Sequence, residues 1–314
     1  MTAYIIRRLL ITVPTIVLVT VVIFAIMRSM PGGPAQAMLG DQATPEAIKA
    51  MEQRLGLDQP FHVQYLAWVG NALRGDLGRS AFGNQPVSEI LLQRIPPTVE
   101  LAILAMLFSV AIGITAGVTA AVYHNSRIDA AASVLAILGV STPSFWLGIM
   151  LVLVFSIWLR WLPSMGYTNL FIAPETNVRQ MILPSLTLGA VMAAVVARQT
   201  RGAMLDVLYQ DYIRTARAKG LVERVVLTRH ALGNALIPVV TIVGLQLGQV
   251  LSGAVVVETI FALPGNGQLL VSSIFTRDFP IVQAVVLVMA LIFTAVNLAV
   301  DLLYGVLDPR VRLS

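Results

Sequence analysis

The sequence has no cysteine, which excludes disulfides, zinc fingers, iron–sulfur clusters and cysteine nucleophiles. Histidine is scarce: His62, His124 and His230 stand far apart and share no ligand spacing, so a histidine metal site has no support. Lysine occurs only at Lys49 and Lys219, neither within GxxxxGK[ST], and the chain carries no P-loop of its own. Charge as a whole is thin. Asp, Glu, Lys and Arg make up 12% of the residues, against about 25% in a soluble domain. Hydrophobic residues reach 57% and mean hydropathy is +0.82, the composition of an integral membrane protein. The net charge of +5 bears first on topology, because Lys and Arg gather on the cytoplasmic side of a membrane. Most positive residues lie close to apolar runs, which argues against nucleic acid as a partner.

A hydrocarbon core of about 30 Å needs roughly 20 apolar residues per helix. Six segments meet this, at about 9–28, 98–122, 131–158, 181–202, 237–258 and 282–306. The first imitates a secretory signal, with Arg7-Arg8, an apolar run and then Ala35-Gln36-Ala37. Its run from Leu9 to Met27 is 19 residues long, beyond the usual signal core of about 7–15, and Pro31-Gly32-Gly33-Pro34 intervene. An uncleaved span is expected. Six spans put both termini on one side. Placing them in the cytoplasm leaves 12 positive and 6 negative residues inside, against 9 positive and 10 negative outside, and most of the outer positives sit in the long 31–97 segment, where the rule is weak. Tyr4, Tyr123, Trp158, Trp161 and Tyr304 lie near span ends, as an interfacial aromatic belt requires.

The 31–97 segment predicts helices of its own. Thr44-Pro45-Glu46 is a helix start. Ile48, Met51 and Leu55 follow at helical spacing, and Gly56 ends the run. A second helix is expected over 61–74, with Tyr65, Trp68 and Ala72 on one face, and a third over 86–94, with the loop Arg74-Gly75-Asp76-Leu77-Gly78 between them. This small helical domain either covers helix ends or docks a partner or substrate; its sequence is compatible with both.

Small residues recur at four-residue spacing in three spans: Gly113, Gly117 and Ala121; Gly189, Ala193 and Ala197; Gly244, Gly248 and Ser252. Such faces let backbones approach closely, within this chain or against a second membrane subunit. Polar groups inside lipid face a bundle interior or a cavity, so Gln246, Gln249, Thr294, Asn297 and Asp301 are the candidate pathway residues. The ionisable candidates Glu100, Glu258 and Asp301 all lie near span ends, which is poor material for a proton relay. Ser141 and Ser144 in GVSTPSF have no histidine on a neighbouring span, and no catalytic set of a membrane protease is present. A sparse, mostly neutral pathway suits a carrier powered from elsewhere.

The stretch DYIRTARAKGLVERVVLTRHALGNALIP, residues 211–238, holds Arg214, Arg217, Lys219, Arg224 and Arg229. The pattern predicts a helix over 204–219 with Leu205, Leu208, Tyr212 and Ala216 near one face, a break at Gly220, a second helical run over 222–232, and the next span from Pro238. Composition allows a basic helix held by anionic lipid, plain topological charge, or a projecting helix pair that mates with a cytoplasmic protein. The segment resembles the EAA loop of ABC-importer permeases. Arg214-Thr215-Ala216, three residues, Gly220 and then His230-Ala231-Leu232-Gly233 follow its spacing, with Arg214 in place of the acid and Gly233 in place of the terminal proline. YIRTARAKG with RHALGNALIP is similar to the oligopeptide/dipeptide/nickel branch. YIIRRLL, LGLDQPFHVQYLAWVGNALRGDLGRS, ETIFALPGNGQLL with RDFP, and NLAVDLLYGVLDPR agree along the chain.

The resemblance implies an all-α integral membrane protein with the six-helix type I permease fold. Its expected divisions are a first span over 1–30, an extracytoplasmic helical domain over 31–97, and a permease core over 98–314 with a coupling loop at 203–236. It implies a non-catalytic subunit that binds no cofactor and sits in the bacterial inner membrane with both termini cytoplasmic. The implied partners are a second homologous permease, two ATPase subunits that hold ATP and Mg, an extracytoplasmic substrate-binding protein and a peptide substrate. Nickel or small-chelate import is the alternative within the family, and an ion-coupled secondary carrier the alternative outside it. The coupling residues carried over from the motif are Asp211, Tyr212, Arg214, Thr215, Ala216, Arg217, Ala218, Lys219 and Gly220.

Overall fold

The computed structural model describes residues 2–29, 35–36, 39, 44–54 and 56–307, without the side chains of 2–9, 54, 251 and 301–307. Several expected features therefore lie outside the described residues: the side chains of Tyr4, Arg7, Arg8, Asp301 and Tyr304, the Pro31–Pro34 break, Leu55, and the terminal Asp308-Pro309-Arg310. The described residues are helical apart from turns and one isolated antiparallel bridge, Arg79 to Pro86.

Helix α1 covers Thr2–Ser29, and its Leu10–Ser29 portion is apolar enough to cross a membrane. The segment after it folds much as its punctuation dictates. Helix α2, Pro45–Arg54, starts where the Thr44 hydroxyl accepts from the Ala47 amide at 3.2 Å, and Gly56 follows at φ +66°. Helix α3, Phe61–Leu73, lays its expected aromatic face on α1. Phe24 meets Phe61, Tyr65 and Trp68 at ring centroid distances of 5.1, 5.6 and 5.7 Å, and the Tyr65 and Thr20 hydroxyls are 2.8 Å apart. Arg28 caps the cluster, its guanidinium 5.0 Å from the centre of the Phe24 ring.

Helix α4 runs unbroken over Val87–Val122, so the separate helix expected at 86–94 is its first turns. Pro96 and Pro97 remove two backbone donors, which normally breaks a helix. Here packing holds both sides of the pair: before it Val87 and Leu91 are buried with Leu269, Ile281, Ala284 and Val285, and after it Leu101 and Ala105 are buried in a separate core with Met181 and Leu183. The span expected at 131–158 is a broken one, built from α5, Arg127–Ser141, and α6, Ser144–Leu151, with its π-helical continuation Val152–Trp158. They bend by 106° at Thr142-Pro143. Proline forces the residue before it out of the helical region, and Thr142 sits at φ −82°, ψ 124°.

Helix α7, Pro174–Leu208, is the most buried span. The next elements are α8 (Asp211–Ala218), the short turn α9 (Glu223–Val225), a π-helical run over Val226–Ala231 and α10 (Leu232–Ile260). Pro238 lies inside α10 rather than starting it. Helix α11, Asn266–Thr276, was not expected from the pattern; α12, Phe279–Leu307, completes the described chain. Among the described residues, five helices are long and apolar enough to span a membrane, or six with the bent pair counted as one.

The chain forms two compact units, Met1–Thr98 with Pro264–Ala295, and Val99–Leu263 with Val296–Ser314. In the first, the loop before α4 is closed by a buried bond in which the Ser80 hydroxyl donates to Asp278 Oδ2 at 2.5 Å. In the second, α4 and α7 meet through their small faces. A methyl group on Gly117 would stand 2.5 Å from the Ala197 carbonyl oxygen, and one on Gly189 would stand 2.7 Å from that of Ala105. These two stripes are thus used inside the chain. An ion pair pins the same helices to α5: Asp129, buried, receives Arg201 Nε and Nη2 at 2.5 and 2.8 Å, the Asn125 amide at 3.1 Å, and lies 3.0 Å from His124 Nδ1.

Three outcomes follow for stability. Gly117→Ala places its methyl against fixed backbone and is expected to cost about 2 kcal/mol. Gly202→Ala, where a methyl meets nothing within 4 Å, is expected to be neutral or stabilising by up to ~1 kcal/mol. Asp129→Ala leaves Arg201 without its carboxylate and is expected to cost about 3 kcal/mol. Thermal unfolding of the purified protein in one detergent checks all three, and a Gly117→Ala protein as stable as Gly202→Ala would refute the close-approach account.

Candidate coupling interface between the fourth and fifth spans

The helix expected over 204–219 is two helices. The chain turns at Tyr209 and Gln210, both exposed, and Gln210 takes an extended conformation at φ −74°, ψ 149°. No proline or glycine marks this corner. It is set by burial three residues later, because Ile213 and Ala216 are the apolar residues of α8 that point inward. They join Met204 of α7, Val226 and Ala231 of the π-helical run, and Ala235 and Val239 of α10 in one core. Ile213 is fully buried. Helix α8 is therefore keyed into the bases of both flanking spans.

Its exit is a glycine corner. Gly220 sits at φ +75°. Its amide donates to the Arg217 carbonyl at 2.9 Å and the Leu221 amide to that of Ala216 at 3.4 Å, the Schellman arrangement that a left-handed residue closes. A side chain at Gly220 would meet nothing within 4 Å. The glycine is thus demanded by backbone conformation, and the space above it is open. Arg217 reaches across this corner to Glu223 with two bonds of 3.1 and 2.7 Å, and that carboxylate raises the arginine's pKa above its ordinary value. An exposed pair contributes little free energy; its effect is to fix the angle between α8 and the turn that follows. On the other side, Asn234 Nδ2 of α10 donates to the Tyr212 hydroxyl at 3.1 Å and to the His230 carbonyl at 3.0 Å.

The expected coupling residues separate into two sets. Ala216 is buried and anchors the helix, while Asp211, Tyr212, Arg214, Thr215, Arg217, Ala218, Lys219 and Gly220 form its exposed side. Arg214, with a side chain 71% exposed, has only a 3.4 Å contact to the freely solvated Asp211. Ile213, Glu223 and Asn234 were missed. Ile213 was legible as the apolar residue three before Ala216; the other two act across the corner, where helical periodicity carries no signal.

The expected pathway residues are dispersed. Gln246 is buried, its Nε2 donating to the Met192 carbonyl at 3.4 Å, so it ties α10 to α7. Gln249, one turn on, is exposed. On α12 the Thr294 hydroxyl donates to Ala290 of its own helix at 2.7 Å, and Asn297 is half-buried. No group of His, Cys, Asp or Glu able to hold a metal ion occurs among the described residues.

The family described as binding-protein-dependent transport system inner membrane component matches residues 113–313, and the N-terminal membrane component of such systems matches residues 1–102. Relatives include a dipeptide transport system permease protein of Alkalihalophilus pseudofirmus, 43% identical over 99% of this chain and 100% of its own length. A putative peptide transport system permease protein of Brucella abortus is 45% identical over 99% of both chains, and a glutathione transport system permease protein of Escherichia coli is 44% identical over 98% of both. Among solved structures, the MetNI methionine ABC transporter in an inward-facing conformation aligns with a TM-score of 0.57 at 16% identity, over 70% of this chain and 96% of that one. An amino acid ABC transporter aligns at 0.51 and 15% identity, over 69% and 94%. These structures share the permease fold, and the family matches reach along nearly the whole sequence: the chain belongs to the inner-membrane permeases of binding-protein-dependent transport systems.

Proposed function

We propose that this permease passes di- or oligopeptides from an extracytoplasmic binding protein across the inner membrane, paired with a second homologous permease and driven by two ATPase subunits that hold ATP and Mg. The names of the dipeptide, peptide and glutathione relatives support the substrate class. Both termini and the loop at 203–236 are cytoplasmic in this reading, with 31–97 on the opposite side. The coupling element is α8 with its glycine corner. One observation carries that assignment: α8 presents a basic outer side while Ile213 and Ala216 lock its inner side to the bases of α7 and α10. A push on α8 therefore moves two spans together, which is what conversion of ATPase closure into a rocking motion requires. Arg214 and Lys219 meet acidic groups on the ATPase, whereas Arg217 holds the corner through Glu223. Gln246, Gln249, Thr294, Asn297 and Asp301 are proposed to contribute to the translocation pathway.

The corner supplies the test. In the importer reconstituted into liposomes, Gly220→Val is expected to cut substrate-stimulated ATP hydrolysis and peptide uptake at least tenfold. Gly220→Asn, which tolerates the left-handed conformation, is expected to retain most of both. Membrane insertion of each is unchanged. Normal stimulation in Gly220→Val would remove α8 from the coupling role. Uptake that persists without ATP on a proton gradient would replace the importer with an ion-coupled carrier.

A further inference from the structure

Helices α4, α5 and α7 enclose a notch of about 190 Å³ that the transport reading does not use. Ala116 and Ala120 of α4 and Ala132 and Ala136 of α5 line it, and Arg198 and Arg201 of α7 stand at one end. The two arginines differ in a way that matters. Arg201 is neutralised by Asp129. Arg198, three residues earlier and so on the same face, is exposed and makes no hydrogen bond or ion pair among the described residues. Ile137, at the notch, is 59% exposed, and Val134, Leu135 and Leu138 beside it on α5 are more than half exposed.

A guanidinium without a counter-charge is costly within hydrocarbon and comes to rest at headgroup depth. That places the alanine-lined space just inside the acyl region. Water gains little there, because the alanines offer it no hydrogen bonds and the hydroxyl of Ser133, which also lines the notch, already donates to Asp129 Oδ1 at 3.5 Å. A soluble anion would satisfy Arg198 but leave the apolar space empty. One class of molecule matches both ends, with a phosphodiester to meet the guanidinium and a hydrocarbon chain to fill the space between alanines. We infer that this notch is a binding site for an anionic phospholipid, its phosphate on Arg198 and part of one acyl chain between α4 and α5. A net-anionic headgroup is favoured over a zwitterionic one, since an ammonium would sit beside Arg198. The inference holds for whichever leaflet the arginine-rich end occupies.

The assembled importer in detergent provides the test. Added phosphatidylglycerol is expected to raise its thermal unfolding midpoint more than phosphatidylcholine does, as any ligand specific for the folded state would, with inorganic phosphate giving no gain. Arg198→Gln, which removes the charge, and Ala136→Leu, which fills the notch, are each expected to abolish at least half of the phosphatidylglycerol gain. Native mass spectrometry should show retained phosphatidylglycerol falling at least threefold in Arg198→Gln, a readout that does not depend on Ala136→Leu folding. Equal lipid gain and retention in wild type and Arg198→Gln would overturn the site. So would a matching gain from inorganic phosphate, or disulfide crosslinking of Ala136→Cys to the second permease, which would show that a protein helix occupies the notch.

Discussion

The second unit depends on how near α4 and α7 can come. Within a bilayer, apolar side chains gain nothing by leaving lipid for each other, so helices associate through close packing and a few polar contacts. Gly117 against the Ala197 carbonyl and Gly189 against that of Ala105 let the two backbones nearly touch. Once α7 is held there, it supplies the surface on which α5, α8 and α10 are organised. Arg201 of α7 receives the α5 corner through Asp129, Met204 receives α8, and Met192 receives Gln246 of α10. Polar pins are few, and each joins elements far apart in sequence.

The same helix explains how α8 is held in place although it is only eight residues long. An isolated helix of that length is unstable in water. Its order is borrowed from the core it shares with α7 and α10, and its exit angle from the Gly220 corner with the Arg217–Glu223 pair. The exposed basic residues then ride on a rigid body. In the proposed reading the positive sign of these residues also orients the loop, so one set of arginines would serve insertion first and contact with the ATPase afterwards.

Much of the local structure was legible because single residues dictate it. Thr44-Pro45 starts α2, Tyr65 and Trp68 mark the face that meets α1, and Gly220 must adopt positive φ. The six apolar runs were legible from length alone. Proline was read less well. Pro143 breaks a run that length had joined, whereas Pro96, Pro97 and Pro238 leave their helices continuous, because packing on either side decides whether the lost donor matters. Helix α11 was hidden, since its sequence NGQLLVSSIFT is short and only weakly periodic. The Asp129–Arg201 pair and the bond from Asn234 to Tyr212 were invisible for a different reason: they join positions that no spacing rule connects. The matched family was recognisable from the loop motif and the stretches that accompany it, while the corner at Gln210 and the reach of Arg217 to Glu223 required the fold.

The bond from Ser80 to Asp278 has a consequence for biosynthesis. The loop ahead of α4 and the core around Val87 and Leu91 take their partners from α11 and α12, so the first unit stays unfinished until nearly the whole chain has left the ribosome. At roughly 5–20 residues per second the interval between those two positions, 198 residues apart, lasts on the order of 10 s or more. Throughout it, Ser80, Val87 and Leu91 lack the partners that Leu269, Asp278, Ile281, Ala284 and Val285 supply in the finished fold. The early part of this permease is a guest awaiting its last two helices, and a chain that stops short of α12 can never complete the core around Val87 and Leu91.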